Sequence, residues 1–294
     1  MADGDYERGR SREIGAIAAE LKRLAGAREG RSLLRPKREG RAPARPQIFV
    51  LNGWAASPHA WDLCGFVRAQ QVAPLPRLFS YVEQLDGEPE KAMAGAERVV
   101  LVGWSMGGSS ALRLAARFHE KVAGLVLIAA TPRMMEERET AWRGMSPRRL
   151  EALRYGLVLT HGAGFFGVPE GKPNPYLVDE PVNLERGLKY LLDTDVRADL
   201  ERVFLARGDG QLPGQQAYDN KMCVCRSPAV HIFQSEHDGI VRAANAAYLK
   251  RIFPQAIVRI VPGTEHALPI FIPELIDEAV DTCLRLAAAG QDPA

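Results

Sequence analysis

The residues best placed for chemistry lie in Gly103-Trp104-Ser105-Met106-Gly107-Gly108, a serine with a glycine two positions away on either side. The run follows an apolar stretch, Arg98 to Val102, and leads into Ser109 to Phe118, rich in Ala, Leu and Arg. A strand, a tight turn and a helix with serine at the apex is the context that lifts a hydroxyl clear of a sheet as a nucleophile. In so sharp a turn, side chains at positions 103 and 107 would collide with neighbouring backbone, which accounts for the glycines. A serine hydroxyl is a weak nucleophile, so it needs a general base within hydrogen-bond reach and a third group to orient that base. Along the chain the expected order is serine, acid, histidine. Of the six histidines, only His266 lies beyond the last apolar run, in Pro262-Gly263-Thr264-Glu265-His266-Ala267, and it is the expected base.

The acid is expected after the run Ala229 to Phe233, where Glu236 and Asp238 both occur. Asp238 is preferred because it directly precedes Gly239 at a turn, and a shorter side chain suits a loop that must hold an imidazole in one tautomer. Glu236 remains the alternative. A tetrahedral intermediate also needs two backbone N–H donors aimed at its developing oxyanion. Met106, next after the serine at a helix start, is one expected donor. Trp54, in the loop Asn52-Gly53-Trp54-Ala55-Ala56, is the other, with its indole able to line an acyl pocket.

Positioning these groups requires a sheet whose strands all end on one side. From Gln47 onward, short β-branched runs alternate with small-residue turns and helical stretches, the signature of a parallel sheet with crossover helices. Candidate strands are Gln47 to Leu51, Arg98 to Val102, Gly124 to Ile128, Ala229 to Phe233 and Ile257 to Val261, nearly uninterrupted apolar runs as expected of strands covered on both faces. Between Thr131 and Arg226 the pattern breaks into helical stretches and a Gly- and Pro-rich segment, which reads as a cap inserted over the sheet. The expected organisation is a basic N-terminal extension at 1–46, a core at 47–130 and 227–290, and a helical cap at 131–226.

Composition bounds the rest. With 294 residues, 46% hydrophobic and 25% charged, the chain is of ordinary globular make-up and long enough for one large core. Net charge is only +2, too weak to imply a nucleic-acid partner. The basic excess sits in residues 1–46, with twelve Lys/Arg against seven Asp/Glu and few large apolar residues, so this arm is expected to pack poorly. No run of eighteen apolar residues occurs, and neither a signal peptide nor a membrane partner is expected. Four cysteines, Cys64, Cys223, Cys225 and Cys283, are too sparse for a disulfide framework and fit reduced thiols in the cytoplasm. Cys223 and Cys225 have no second Cys/His pair at ligand spacing, so no metal site is expected.

These residues resemble the α/β-hydrolase superfamily and, within it, the pimeloyl-acyl-carrier-protein methyl ester esterases of biotin synthesis. The resemblance spans about Gln47 to Leu286. It rests on Gly53-Trp54, on Gly103-Trp104-Ser105-Met106-Gly107-Gly108, on the segment from Gly187 to Arg197 ending Thr194-Asp195-Val196-Arg197, and on His266-Ala267. It implies a mostly parallel central sheet with helices on both faces and an inserted cap. It also implies a triad of Ser105, Asp238 and His266, with an oxyanion hole from the amides of Trp54 and Met106. Asn52 stands where the family usually has His before the first Gly, and Leu205 to Met222 looks like an insertion.

The expected activity is carboxylester hydrolysis with no cofactor or metal, by a monomer acting on a small-molecule or carrier-bound ester. An acidic carrier would favour a basic rim, and the front of the cap offers Arg133, Arg138, Arg143, Arg148, Arg149 and Arg154 against four glutamates. A general short-chain esterase, a thioesterase or a carbon-carbon bond hydrolase would use the same groups; a non-catalytic binding protein would have no need of them.

Overall fold

The computed structural model describes residues 45–68, 75–138, 142–160, 166, 168, 172–178, 180–205, 228–263 and 265–289. The N-terminal extension expected at 1–46 lies outside them except for Arg45 and Pro46, as do Cys223, Cys225 and all of the expected insertion but Leu205.

Six strands form one sheet: β1 (Gln47–Leu51), β2 (Arg77–Phe79), β3 (Val99–Trp104), β4 (Val122–Ile128), β5 (Ala229–Ser235) and β6 (Ile257–Val261). Their spatial order is β2-β1-β3-β4-β5-β6 and every pairing is parallel. The five apolar runs picked out in the sequence all appear as strands. The sixth, β2, escapes notice because three residues carry too little pattern. Parallel pairing requires crossovers. These include α1 (Gly65–Arg68), α2 (Tyr81–Leu85) and α3 (Glu88–Gly95), followed by α4 (Met106–Arg117) between β3 and β4. The stretch between β4 and β5 holds α5 (Pro147–Thr160), α6 (Pro181–Asp193) and α7 (Arg197–Leu200). The chain continues through α8 (Ala244–Ile252) and α9 (Leu268–Phe271) to α10 (Pro273–Ala289).

The period of two along the strands divides the sheet's side chains between two cores. On one face Phe49, Leu51, Leu101, Leu125, Leu127 and Ile232 pack with Leu112 and Ala115 of α4 and Leu249 and Ile252 of α8. On the other, Val50, Val100, Val102, Val126, Ile128 and Phe233 pack with Trp61 and with Ile276, Ala279, Val280 and Cys283 of α10, a stripe at helical spacing. Strand β6 departs from the expected burial on both faces: Ile257 and Ile260 are each 47% exposed, because β6 is an edge strand. Among the described residues no helix is long and apolar enough to cross a membrane.

Register brings the chemistry to one edge. Leu51 pairs with Gly103, Gly103 with Leu127 and Trp104 with Ile128, while Ser235 pairs with Val261. The loops after β1, β3, β5 and β6 therefore leave the same end of the sheet, the end where parallel α/β sheets bind ligands. A third apolar cluster there joins Trp54, Met106 and Val241 to Leu150, Leu157, Leu184 and Leu191 of α5 and α6.

Candidate active site

Ser105 occupies the turn between β3 and α4 at φ 56° and ψ −117°, in backbone space that residues with a Cβ rarely adopt. The amide of Ser105 donates to Ile128 O at 2.9 Å, which keeps the turn tied to β4. A Cβ on Gly103 would overlap the Gly107 carbonyl, and one on Gly107 would overlap the Leu51 carbonyl. The two glycines are thus required by backbone approaching backbone, and the strain at Ser105 is held in place by this packing.

The structure brings Ser105, His266 and Asp238 together. Ser105 Oγ lies 2.8 Å from His266 Nε2, and His266 Nδ1 lies 2.7 Å from Asp238 Oδ2. A carboxylate against Nδ1 fixes the imidazole proton there, so Nε2 accepts from the serine hydroxyl. All three residues are between 5% and 8% exposed, so their interactions are little screened by water. Asp238 Oδ1 accepts from the amides of Ile240 (2.7 Å) and Val241 (3.0 Å), which leaves Oδ2 facing the imidazole.

Glu236, the alternative acid, points away: its side chain is 55% exposed and its carboxylate lies 3.9 Å from exposed His237. Among the remaining histidines, His59 pairs with Asp62 at the surface, His119 lies beside Glu120, and His231 is buried in β5. His161 lies outside the described residues.

Met106 opens α4 and Trp54 follows β1, and no acceptor among the described residues meets either backbone amide. Both side chains belong to the apolar cluster at the strand ends. The Trp54 indole donates to Leu184 O at 3.2 Å and fills space that a Cβ on Gly187 would take, so this ring fastens the loop to α6. That contact explains Gly187.

Three residues were given no supporting role from sequence. Gln234 is 1% exposed and donates from Nε2 to Asp238 Oδ2 (3.2 Å) and Val241 O (2.7 Å). A glutamine directly after the apolar run Ile232-Phe233 near the end of a strand is the signal that could have flagged it. The Trp104 indole donates to His266 O at 2.9 Å, tying the residue before the serine to the histidine loop. Asn52 was noted only as a departure from a pattern, yet its buried carboxamide bonds Gly53, Ala56 and Trp61.

Thr194-Asp195-Val196-Arg197 forms a fastening rather than part of the reacting centre. Arg133 Nη1 lies 2.6 Å from Asp195 Oδ2, and Arg197 Nη2 lies 2.7 Å from Asp195 Oδ2 and 2.8 Å from Glu137 Oε2. Burial alone would raise the Asp195 carboxyl, but hydrogen bonds from Arg197 and Arg133 outweigh it and hold the group at about 2. Cys64 and Cys283 are buried, and burial pushes the Cys283 thiol up to about 12, so it is no nucleophile at neutral pH. Among the described residues no cluster of His, Cys, Asp and Glu suits a metal ion.

Residues 74–271 match the family described as alpha/beta hydrolase fold. Pimeloyl-[acyl-carrier protein] methyl ester esterase of Nitrosomonas europaea is 25% identical over 260 residues, covering 78% of this chain and 92% of that protein. The protein of the same name from Photobacterium profundum is 27% identical over 253 residues, covering 77% and 90%. Among solved structures, an esterase from Exiguobacterium antarcticum superposes with a TM-score of 0.55 at 16% identity, over 82% of this chain and 92% of that one. A hydrolase from Oleispira antarctica gives 0.57 at 14% identity, over 83% and 92%. With the parallel sheet, the strained serine turn and the family match over two thirds of its length, the chain belongs to the alpha/beta hydrolase fold family.

Proposed function

We propose that this protein is a serine carboxylesterase that cleaves the methyl ester of a pimeloyl chain carried on acyl carrier protein. The observation that carries the reading is the hydrogen-bonded line Ser105–His266–Asp238 beneath an apolar cluster. Ser105 Oγ attacks the ester carbonyl as its proton passes to His266 Nε2, and Asp238 stabilises the imidazolium without taking the proton. The amides of Trp54 and Met106 receive the oxyanion. Collapse expels methanol, protonated by His266. Water, activated by the same imidazole, then attacks the acyl-enzyme and frees Ser105. Base, acid and oxyanion donors all come from the chain, so the reaction calls for neither metal nor cofactor.

The substrate assignment draws on the names of the relatives, on the apolar cluster and on charge. Arg133 and Arg154 are engaged with acids. Arg138, Arg143, Arg148 and Arg149 are exposed and meet no acid among the described residues, which leaves them available to an acidic carrier. In the test, carrier-bound pimeloyl methyl ester is cleaved with a kcat/KM at least tenfold above that of free methyl pimelate, and the advantage shrinks with added salt. Arg143→Glu with Arg148→Glu removes most of the advantage while leaving the free ester unaffected. Equal rates on carrier-bound and free esters at all salt concentrations would leave a general esterase as the better reading.

A further inference from the structure

The loop that presents the Trp54 amide is under strain; the Trp54 indole on Leu184 O and Val178 N on Ala55 O hold it from the α6 side, and one buried side chain grips it from within. Ala55 sits at φ 61°, in the left-handed region that residues with a Cβ avoid. Such a conformation persists only where its surroundings over-determine it. Asn52, 1% exposed, supplies much of that determination. Its Oδ1 accepts from the Gly53 amide at 3.1 Å and from the Trp61 indole at 3.0 Å, and its Nδ2 donates to Ala56 O at 2.8 Å. The carboxamide thereby grips the loop on both sides of Trp54. Its own backbone is fixed too: Asn52 N donates to Phe79 O at 3.1 Å, and Asn52 O accepts from Gln84 Nε2 at 2.9 Å.

We propose that Asn52 is the positioning residue of the oxyanion hole. It aims the Trp54 amide through the Gly53 and Ala56 bonds, while Trp61 locks which way the carboxamide faces. The inference rests on the esterase reading and on Trp54 as oxyanion donor. A carboxamide suits the task because one oxygen serves two donors while the nitrogen closes the loop; a neutral imidazole, the family's usual group here, offers one donor and one acceptor. An oxyanion donor matters most when charge has developed, so loss of aim lowers kcat far more than it raises KM.

The full-length protein and its Asn52→Asp variant test this with p-nitrophenyl butyrate turnover, affinity for a trifluoromethyl ketone, and thermal melting. Asn52→Asp keeps an acceptor for Gly53 and Trp61 but turns the donor toward Ala56 O into a second acceptor. The expected result is a kcat lowered by about 10- to 100-fold, KM within about threefold, and a parallel loss of ketone affinity in a protein that still melts cooperatively. A folded Asn52→Asp with kcat within twofold of the parent overturns the proposal, as does a loss of kcat with unchanged ketone affinity. Should Asn52→Asp fail to fold, Trp61→Phe frees the carboxamide while leaving the loop bonds in place; it is expected to lose about 3- to 10-fold in kcat in the same pattern. Unchanged kcat in Trp61→Phe would then overturn the proposal. If the parent protein neither hydrolyses esters nor is labelled by a fluorophosphonate, the esterase reading falls and takes this inference with it. An active parent with equally active variants removes this inference alone.

Discussion

The turn at Ser105 and the helical stretch between β4 and β5 are held in different ways. In the turn, backbone meets backbone: Gly103 abuts Gly107, Gly107 abuts Leu51, and any side chain there would overlap a carbonyl. The helical stretch is fastened largely by side chains, with backbone bonds at Tyr176, Val178 and Val196 beside them. The Arg133–Asp195–Arg197–Glu137 ion pairs join its two roots, Trp54 bonds Leu184, and Ser57 Oγ donates to Pro175 O at 2.5 Å. A region built from backbone contacts has one workable geometry, which suits a reacting centre. A region held by exchangeable side chains can be retuned without disturbing the chemistry, which suits the choice of substrate.

The comparison breaks most sharply at the serine itself. Ser105→Ala should abolish fluorophosphonate labelling and lower ester hydrolysis by on the order of 10⁶-fold, because the remaining groups cannot supply a nucleophile. Labelling of the Ala variant at the parent rate would move the reacting centre elsewhere. Next in size is the acid. In Asp238→Asn, the carboxamide keeps its oxygen toward the Ile240 and Val241 amides and presents its NH₂ to His266, forcing the proton onto Nε2, where it no longer accepts from Ser105. A loss of about 10⁴-fold in kcat is expected, as in another triad of this kind. Glu236→Gln, altering an exposed carboxylate, should remain within twofold. The reverse ranking would transfer the role to Glu236.

Much of this site was legible because its signals are local. The serine and its glycines lie within six residues, and Asp238 and His266 each follow an apolar run that could only be a strand. What stayed hidden depends on contacts between distant parts of the chain. Gln234 reads as an ordinary polar residue until β5 is seen to end beside the Asp238 loop. Asp195 and Arg197 stand out in the sequence only as part of a family-like motif, and their fastening role shows once α7 is seen beside Arg133, more than sixty residues earlier. Burial of β6 was overestimated for the same reason, since an apolar run does not say whether a strand has one neighbour or two.

Within the sheet, rigidity carries a cost at low pH. His231 is 4% exposed on β5, its Nδ1 has no hydrogen-bond partner among the described residues, and burial, aided by the Arg259 charge, lowers its pKa to about 4. The unfolded chain binds this proton near pH 6.5, so the neutral imidazole's contribution is complete above that pH and is lost as pH falls toward 4. Urea unfolding should show stability falling by roughly 3 kcal/mol from this group over that window. His231→Val should flatten that part of the pH dependence. A variant with the parent's slope would assign the acid sensitivity to the carboxylates instead.

The smallest effect is expected at the roots of the helical stretch, where the two modes of support separate. Asp195 accepts from two arginines, and Val196 N donates to Pro132 O at 3.0 Å, so the chain leaving β4 and the chain entering α7 are zipped side by side. The ion pairs are only partly buried: the Asp195 side chain retains 30% exposure and Arg197 18%. Solvent screens them, but as a network with short hydrogen bonds they exceed an isolated surface pair, and Asp195→Ala should cost about 1–2 kcal/mol. That loss leaves Arg133 and Arg197 sharing Glu137 as their one remaining anion in the network, so the double variant Asp195→Ala/Arg133→Ala should recover part of it. Neither change touches the Gly103–Gly107 packing. Fluorophosphonate labelling of Ser105 should therefore proceed within twofold of the parent rate, while discrimination between short and medium acyl esters narrows as the roots of α5 and α6 loosen. A labelling rate that falls tenfold with Asp195→Ala would mean that the helical stretch supports the serine turn itself, and the division between a backbone-built centre and a side-chain-fastened cover would not hold.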